Sequence, residues 1–267
     1  VGFFTVSERT KTGQRPILYL KIFGERNTGS NYLHQVCARN FLVTQLRGDV
    51  QEIWGLGQRI AGQMGNQFQV RQALHDLEIR RILRSDFGWK HAAPDLAVID
   101  ASEIAKYTRF VVLTKHPYSW LKSLHRNPYS FQTPHPDFSR FIRSDFPLNG
   151  SDGLPGVAPC TPPALLRHKA LAYRRLLQSP NDAIHLKYED LIEDFEAAMR
   201  RLQPRMFRKT GSFLNVEKDV KGQKRQLADF QRQYSLASVR QGIQDADVDF
   251  IRAELGEDIF AFLGYQS

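Results

Sequence analysis

The chain has 267 residues, 42% of them hydrophobic and 24% charged, the balance of a globular protein long enough to bury a core without disulfide staples. That balance excludes a disordered tail and a fibrous repeat, and no apolar run approaches the ~20 residues of a bilayer span. Lys and Arg number 37 against 28 Asp and Glu, a net +9, which favours anionic partners: nucleic acid, phosphate-bearing cofactors, acidic glycans or a membrane surface.

Residues 1–15 are polar and without period, and are read as an arm. No basic segment followed by an apolar run opens the chain, so no signal peptide is expected, and the absence of an initial Met leaves room for a removed upstream segment. Ile17 to Phe23 is a short apolar run between Pro16 and Gly24, a buried strand. From Asn31 to Leu46 the apolar residues Tyr32, Leu33, Val36, Cys37, Phe41 and Leu42 fall at helical spacing. Residues 47–90 are rich in Gln and Gly and give no clear order, apart from a short helical pattern at Ile79 to Leu83. Asp95 to Lys106 reads as a helix, and Arg109 to Thr114 as a second strand followed by a helix over Pro117 to His125. Residues 126–162 hold seven of the thirteen prolines, with Tyr129, Phe131, Phe138, Phe141 and Phe146 among them. They read as a long surface excursion of the functional kind. Helices are expected over Pro163 to Gln178, Asp190 to Leu202 and Val239 to Leu263, with a third strand at Ala183 to Lys187; Pro204 to Asp229 is basic and irregular. Alternating strands and helices imply an α/β fold, a parallel sheet covered on both faces. The two cysteines, Cys37 and Cys160, are too few for a disulfide framework or a Cys-rich zinc site. They read as reduced thiols of a cytoplasmic protein, the other reading being the luminal domain of a truncated Golgi-type membrane enzyme.

Between the first strand and the first helix lies Gly24-Glu25-Arg26-Asn27-Thr28-Gly29-Ser30-Asn31. A helix N-terminus offers unpaired N–H groups and a positive dipole end, and glycines let backbone approach an anion. The frame is that of a nucleotide P-loop, but Ser30 and Asn31 stand where the Walker Lys and Ser/Thr would be. ATP-dependent kinase or NTPase chemistry is therefore not expected. The plain alternative is a Gly turn that starts a helix. After the second strong strand comes Lys115-His116-Pro117-Tyr118-Ser119-Trp120-Leu121-Lys122-Ser123, which brings a cation and a hydroxyl toward one phosphate.

With these residues the chain resembles the sulfotransferases that use 3′-phosphoadenosine 5′-phosphosulfate (PAPS). The resemblance covers about residues 17–33, 88–126 and 183–195. It implies a single P-loop-like, three-layer α/β domain over residues 1–267, with residues 126–162 on the acceptor side. It also implies PAPS as cofactor, no metal, and sulfuryl transfer to a hydroxyl or amine. The family's 5′-phosphosulfate cradle matches Asn27-Thr28-Gly29-Ser30, with the cation, Arg26, one place early and Asn31 following. Its Arg-x-Pro-x5-Ser segment for the 3′-phosphate matches Lys115, Pro117 and Ser123, with Lys in place of Arg. Its Lys-x-His-x-Pro-like segment matches Lys90-His91-Ala92-Ala93-Pro94 with an altered spacing, which implies His91 as the base and Lys90 beside it. Tyr188-Glu189-Asp190-Leu191 matches the segment whose Tyr lies near adenine, and Arg208-Lys209-Thr210-Gly211 resembles the loop that closes on the 3′-phosphate, with Lys221-Gly222 a rival.

Glu25 is a second candidate base. His116, His125, His135, His168 and His185 are read as structural, and Glu189 with Asp190 as a helix-start carboxylate pair. The Arg-rich runs 167–175 and 200–208 are read as solvated helix faces. The basic composition points to a carbohydrate or other small-molecule acceptor, with no nucleic acid and no integral membrane segment. The alternatives are a non-enzymatic binder of acidic glycan or nucleic acid, and a P-loop kinase.

Overall fold

A computed structural model describes residues 15–48, 81–83, 85–128, 135–146, 148, 150–216 and 236–266. Four parallel strands form its sheet: β1 (Tyr19–Phe23), β2 (Thr44–Gln45), β3 (Thr108–Thr114) and β4 (Ala183–Lys187), in the order β2-β1-β3-β4. The period of two in a strand sends alternate side chains to opposite faces. Leu20, Ile22, Val111 and Leu113 pack on one face, beneath α1 (Ser30–Asn40), α6 (Tyr188–Glu193) and α7 (Phe195–Leu202). Phe23, Phe110 and Val112 pack on the other, beneath α2 (Leu96–Asp100) and α5 (Pro162–Gln178). The result is a three-layer α/β fold, as the alternation of elements implies.

Further helices gather against α5: α3 (Pro117–Arg126), α4 (Phe138–Arg143), α8 (Leu236–Val239), α9 (Asp245–Leu255) and α10 (Glu257–Leu263). They bury a second apolar centre around Trp120, Phe141, Phe146, Leu165, Ile251 and Phe260. Among the described residues no helix is long and apolar enough to cross a membrane.

Five expectations need correction. The helix expected over Asp95 to Lys106 is the short α2, Leu96–Asp100, with a separate 3-10 turn at Ala105–Tyr107, and the one expected over Asp190 to Leu202 is two, α6 and α7, parted at Asp194. The first helix ends at Asn40, short of Leu46, because Phe41 turns extended and bridges Arg208 while Leu42 N donates to Phe207 O at 2.9 Å. Backbone pairing to a distant segment there overrides the helical spacing of Phe41 and Leu42. Residues 126–162 are not a surface excursion throughout. They hold α4, started by the Asp137 side chain, and they bury Phe141, Ile142 and Phe146 fully. The proline density hides a helical spacing of Phe138, Phe141 and Ile142. Tyr129 and Phe131, like most of residues 47–90, lie outside the described residues. Finally, the span expected as the last helix, Val239 to Leu263, is interrupted twice: residues 240–244 turn between α8 and α9, and Gly256, at φ 84°, parts α9 from α10.

Candidate functional site

At the end of β1 the chain must turn back to lay α1 on the sheet. Gly24 opens the turn where a side chain has no room: a Cβ there would lie 2.7 Å from Leu113 O. The amide and hydroxyl of Thr28 both donate to Glu25 O, at 3.2 and 2.6 Å, and Glu25 Oε1 accepts the Arg26 amide at 2.7 Å. Gly29 then takes φ 90°, and a Cβ on it would meet the Tyr188 ring at 2.4 Å. The helix start therefore lies flat on Tyr188.

The N-terminus of α1 has no side-chain cap and no acid in its first turn. Among the described helices of eight residues or more, each of the others has one or the other. His116 caps α3, Thr161 caps α5, Asp194 caps α7, and Asp245 and Asp247 open α9. First-turn amides without an intrahelical acceptor, at the positive end of the dipole, suit an anion.

Residues 89–92 wall one side of this turn. Gly24 N donates to Lys90 O at 3.0 Å, and His91 Nδ1 lies 2.6 Å from Gly24 O. A carbonyl oxygen only accepts, so Nδ1 carries the proton and Nε2 the lone pair. Lys90 Nζ donates to Asn31 Oδ1 at 3.0 Å. The Arg26 guanidinium stacks 4.4 Å from the centre of the Trp89 ring, and that ring meets His91 edge-on at 4.7 Å. Trp120 Nε1 donates to Arg26 O at 2.9 Å, fixing the turn from the α3 side. Burial holds the His91 pKa well below the ordinary imidazole value; the Gly24 bond opposes this, and the charges of Lys90, Arg26 and Lys169 add to the lowering. At neutral pH the ring is a neutral base.

The second cluster follows β3. Lys115 Nζ donates to Ser123 Oγ at 3.0 Å and stands 5.3 Å from the centre of the Tyr188 ring. Burial lowers the Lys115 pKa to about 7, against the pull of Glu189 and with the push of Arg126 and Lys122. Tyr188 is thus a shared wall, with Gly29 against its ring and Lys115 over it. The structure brings together Arg26, Asn27, Thr28, Gly29, Ser30, Asn31, Lys90 and His91 at one strand end, and Lys115, Ser123 and Tyr188 at the next.

Two expected residues stay away. Lys209 Nζ donates to Ala38 O at 2.7 Å and its amide to Asn40 O at 2.8 Å. Arg208 bonds Gly211 O and stacks on Phe213. Both sit at the C-terminal end of α1, a helix length from the cradle and roughly 12–15 Å along its axis at 1.5 Å per residue. The rival Lys221-Gly222 lies outside the described residues.

Glu25 is turned inward. It is buried, with Oε2 3.5 Å from the ammonium of Lys169, which α5 carries. Of the other histidines, His125 Nε2 bonds His135 O, His185 Nε2 meets Thr114 Oγ1, and His116 Nδ1 accepts from Tyr118 N. His168 lines a cavity of about 560 Å³ with Ala93, Pro94, Leu154 and Arg175. Glu189 is no surface carboxylate. Its two oxygens accept from His116 N at 3.0 Å and Tyr265 Oη at 2.7 Å. Sequence reasoning missed Trp89, Lys169 and Asp152, which support the His91 segment. The signal for Lys169 was present: it falls one turn after Leu165 and one turn before Tyr173, a cation in an apolar stripe.

No protein-family model matches the chain, and a search of curated proteins finds no match. Among solved structures it is similar to the sulfotransferase domain from the curacin biosynthetic pathway. The two are 13% identical with a TM-score of 0.37, over 95% of this chain and 99% of that one. A superposition that loose transfers no residue and no role.

Proposed function

We propose that the chain transfers a sulfuryl group from PAPS to a hydroxyl or amine acceptor, a carbohydrate or other small molecule, with His91 as general base. One observation carries the reading: the protonated nitrogen of His91 is spent on Gly24 O, the first carbonyl of the anion-binding turn. Its basic nitrogen is thereby fixed on a ring anchored to that turn. The donor set fits a nucleotide with anionic groups at two ends. The α1 amides, Arg26 and Lys90 suit a phosphosulfate, and Lys115 with Ser123 suits a second phosphate one strand away. Ser30 in the Walker Lys position speaks against an ATP-dependent reaction.

PAPS supplies a sulfuryl group on a phosphate leaving group. The chain supplies position and charge. His91 Nε2 takes the acceptor's proton as the acceptor oxygen or nitrogen bonds to sulfur. The bond from sulfur to the phosphate oxygen breaks, and its electron pair stays on the phosphate. Arg26, Lys90 and the amides of the turn meet that charge.

The test is thermal stabilisation by 3′-phosphoadenosine 5′-phosphate (PAP) against ATP with magnesium, at matched ionic strength. A ligand at 100 times its Kd adds about 2.7 kcal/mol. The 3′-phosphorylated nucleotide should raise Tm and ATP should not. His91→Ala should lower kcat by ~10²–10⁴-fold and leave the nucleotide's affinity within a few-fold. An equal shift with ATP sinks the reading, as does steep salt dependence without nucleotide selectivity, the signature of a charge-driven binder.

A further inference from the structure

Behind the cradle lies a charged cluster with no access to solvent. Lys169, on the buried side of α5, is 0% exposed, Glu25 is 1% and Asp152 is 1%. The ammonium donates to His91 O at 2.6 Å and to Asp152 O at 2.7 Å, with Asp152 Oδ1 at 3.4 Å and Glu25 Oε2 at 3.5 Å. Its contacts belong to three separate segments: the cradle (Glu25), the base segment (His91), and the turn Gly150–Asp152. That turn is itself tied to the base segment, since Ala93 N donates to Asp152 O at 2.8 Å. A buried ammonium is costly unless its surroundings are rich in acceptors, and here every acceptor is on a segment that frames His91.

We propose that Lys169 is a positioning residue: clasped between Asp152 and Glu25, it pins the backbone of His91 and so fixes the aim and tautomer of the ring against the cradle. The ring makes one hydrogen bond to the cradle, Nδ1 to Gly24 O. That bond holds the tautomer only while the His91 backbone is in register with Gly24. Gly24 N on Lys90 O and Lys90 Nζ on Asn31 Oδ1 tie the segment to the cradle, and Lys169 Nζ on His91 O ties it to α5. The last is a side chain from a helix on the far side of the segment, so it sets the depth of residues 90–92 relative to α5. The cationic groups facing His91 are Lys90, Arg26 and Lys169. The carboxylates of Glu25 and Asp152 partner Lys169 behind it, Trp89 lies edge-on, and the buried Tyr173 hydroxyl feels the same two carboxylates.

The test is Lys169→Met, read by ¹⁵N NMR of the His91 imidazole in the full chain without nucleotide, together with PAP binding and sulfuryl transfer. The native ring should show a single neutral tautomer, protonated at Nδ1. In Lys169→Met two tautomers should appear and the titration midpoint should rise, since one of the lowering charges is gone. The consequence for turnover rests on the proposed function: kcat should fall by ~10–100-fold, the usual cost of losing a supporting partner, with PAP affinity within a few-fold. Removing an ammonium from between two buried carboxylates can stop folding, so Asp152→Asn is the second variant. It keeps the charge of Lys169 and loosens one side of the clasp, and it should broaden the His91 signals and lower kcat a few-fold. An unchanged tautomer and midpoint in whichever variant folds overturns the inference. A changed tautomer in a chain that transfers no sulfuryl group would leave the positioning role intact and overturn the proposed function instead.

Discussion

Two strand-to-helix junctions lie side by side on neighbouring parallel strands, and they are built on opposite plans. The β1–α1 turn leaves its helix uncapped, bends through left-handed Asn27 and Gly29, and presents backbone amides. The β3–α3 junction is two residues long. Pro117 opens its helix, and His116 Nδ1 accepts from Tyr118 N at 3.3 Å. Glu189 takes the His116 amide, and Tyr265 locks Glu189 in turn. Burial lowers the His116 pKa to about 4, so the capping nitrogen stays unprotonated near neutrality. What this second junction offers an anion is side chain: Lys115, set by Ser123. The first junction offers groups that do not titrate, and the second offers one that does.

The largest effect should come from Gly29→Ala. The residue sits at φ 90°, and a Cβ would lie 2.4 Å from a Tyr188 ring carbon. The left-handed conformation costs a non-glycine residue ~1–2 kcal/mol, and crowding a packed ring costs ~1–3 kcal/mol. The expected loss, read by denaturant unfolding, is the sum of the two, about 2–5 kcal/mol. Nucleotide binding should weaken as well, because the ring that must move is the one Lys115 stands over. Gly211→Ala is the control. It has no atom within 4 Å of a Cβ and should stay within about 0.5 kcal/mol of the parent. Equal effects from the two would mean that the turn is not a preformed cradle.

The contrast also explains how much could be read from the sequence. β1 and β3 were legible because Ile22-Phe23 and Phe110-Val111-Val112-Leu113 are apolar on both faces, as a covered parallel sheet requires; β2 was not, since Thr44–Gln45 falls inside the span read as the first helix. The turn after β1 and the Lys115–Ser123 contact were legible as geometry because local sequence builds each one: a strand end, a turn, and a helix of fixed rise. The place of Arg208 and Lys209 was not legible, for the opposite reason. Nothing local says which end of α1 a distant loop will meet, and here Asn40 takes it, bonding Leu214 through both its amide and its carbonyl. For the support of His91, the apolar stripe of α5 marks Lys169 as buried, but not what it would meet. Lys169 is 78 residues from His91, and its two shortest bonds, to His91 O and Asp152 O, go to backbone carbonyls, which leave no mark in a sequence.

The second prediction is a pH dependence confined to the second junction. With the Lys115 pKa lowered to about 7 by burial, the ammonium is largely present at pH 6 and largely lost by pH 8.5. An anion binds the protonated form, so affinity for PAP should fall by up to tenfold per pH unit above about 7. The stability of the free chain should move the other way. Over the window between the Lys115 pKa of about 7 and the ordinary lysine value of about 10.4, the unfolded chain holds the proton more tightly than the folded one. Stability from this group therefore rises with pH. Calorimetric titration of PAP at pH 6.5, 7.5 and 8.5 (all approximate set points), in buffers of different ionisation enthalpy, should show proton uptake growing with pH. Lys115→Met should abolish that uptake. A pH-independent affinity would mean that the phosphate avoids Lys115 and that the backbone junction holds the nucleotide alone.

The smallest effect sharpens the role of Ser123. Its oxygen accepts from Lys115 Nζ at 3.0 Å, and its own hydrogen goes to Ser119 O at 2.8 Å, one turn back on α3. With the hydrogen committed to the helix, the hydroxyl would act on an anion through Lys115 rather than as a direct donor. Ser123→Ala should then cost a single hydrogen bond, about 0.5–1.5 kcal/mol or ~2–10-fold in affinity. It should also move the pH dependence. An ammonium that loses an acceptor gives up its proton more readily, so the midpoint near 7 should slide to lower pH, and the loss should be larger at pH 7.5 than at pH 6, both as approximate set points. A direct donor would behave differently: its removal would cost the same at every pH and leave the midpoint where it was. The variant's titration curve, more than the size of its defect, therefore decides whether the second junction meets its anion with two side chains or with one side chain held in place by another.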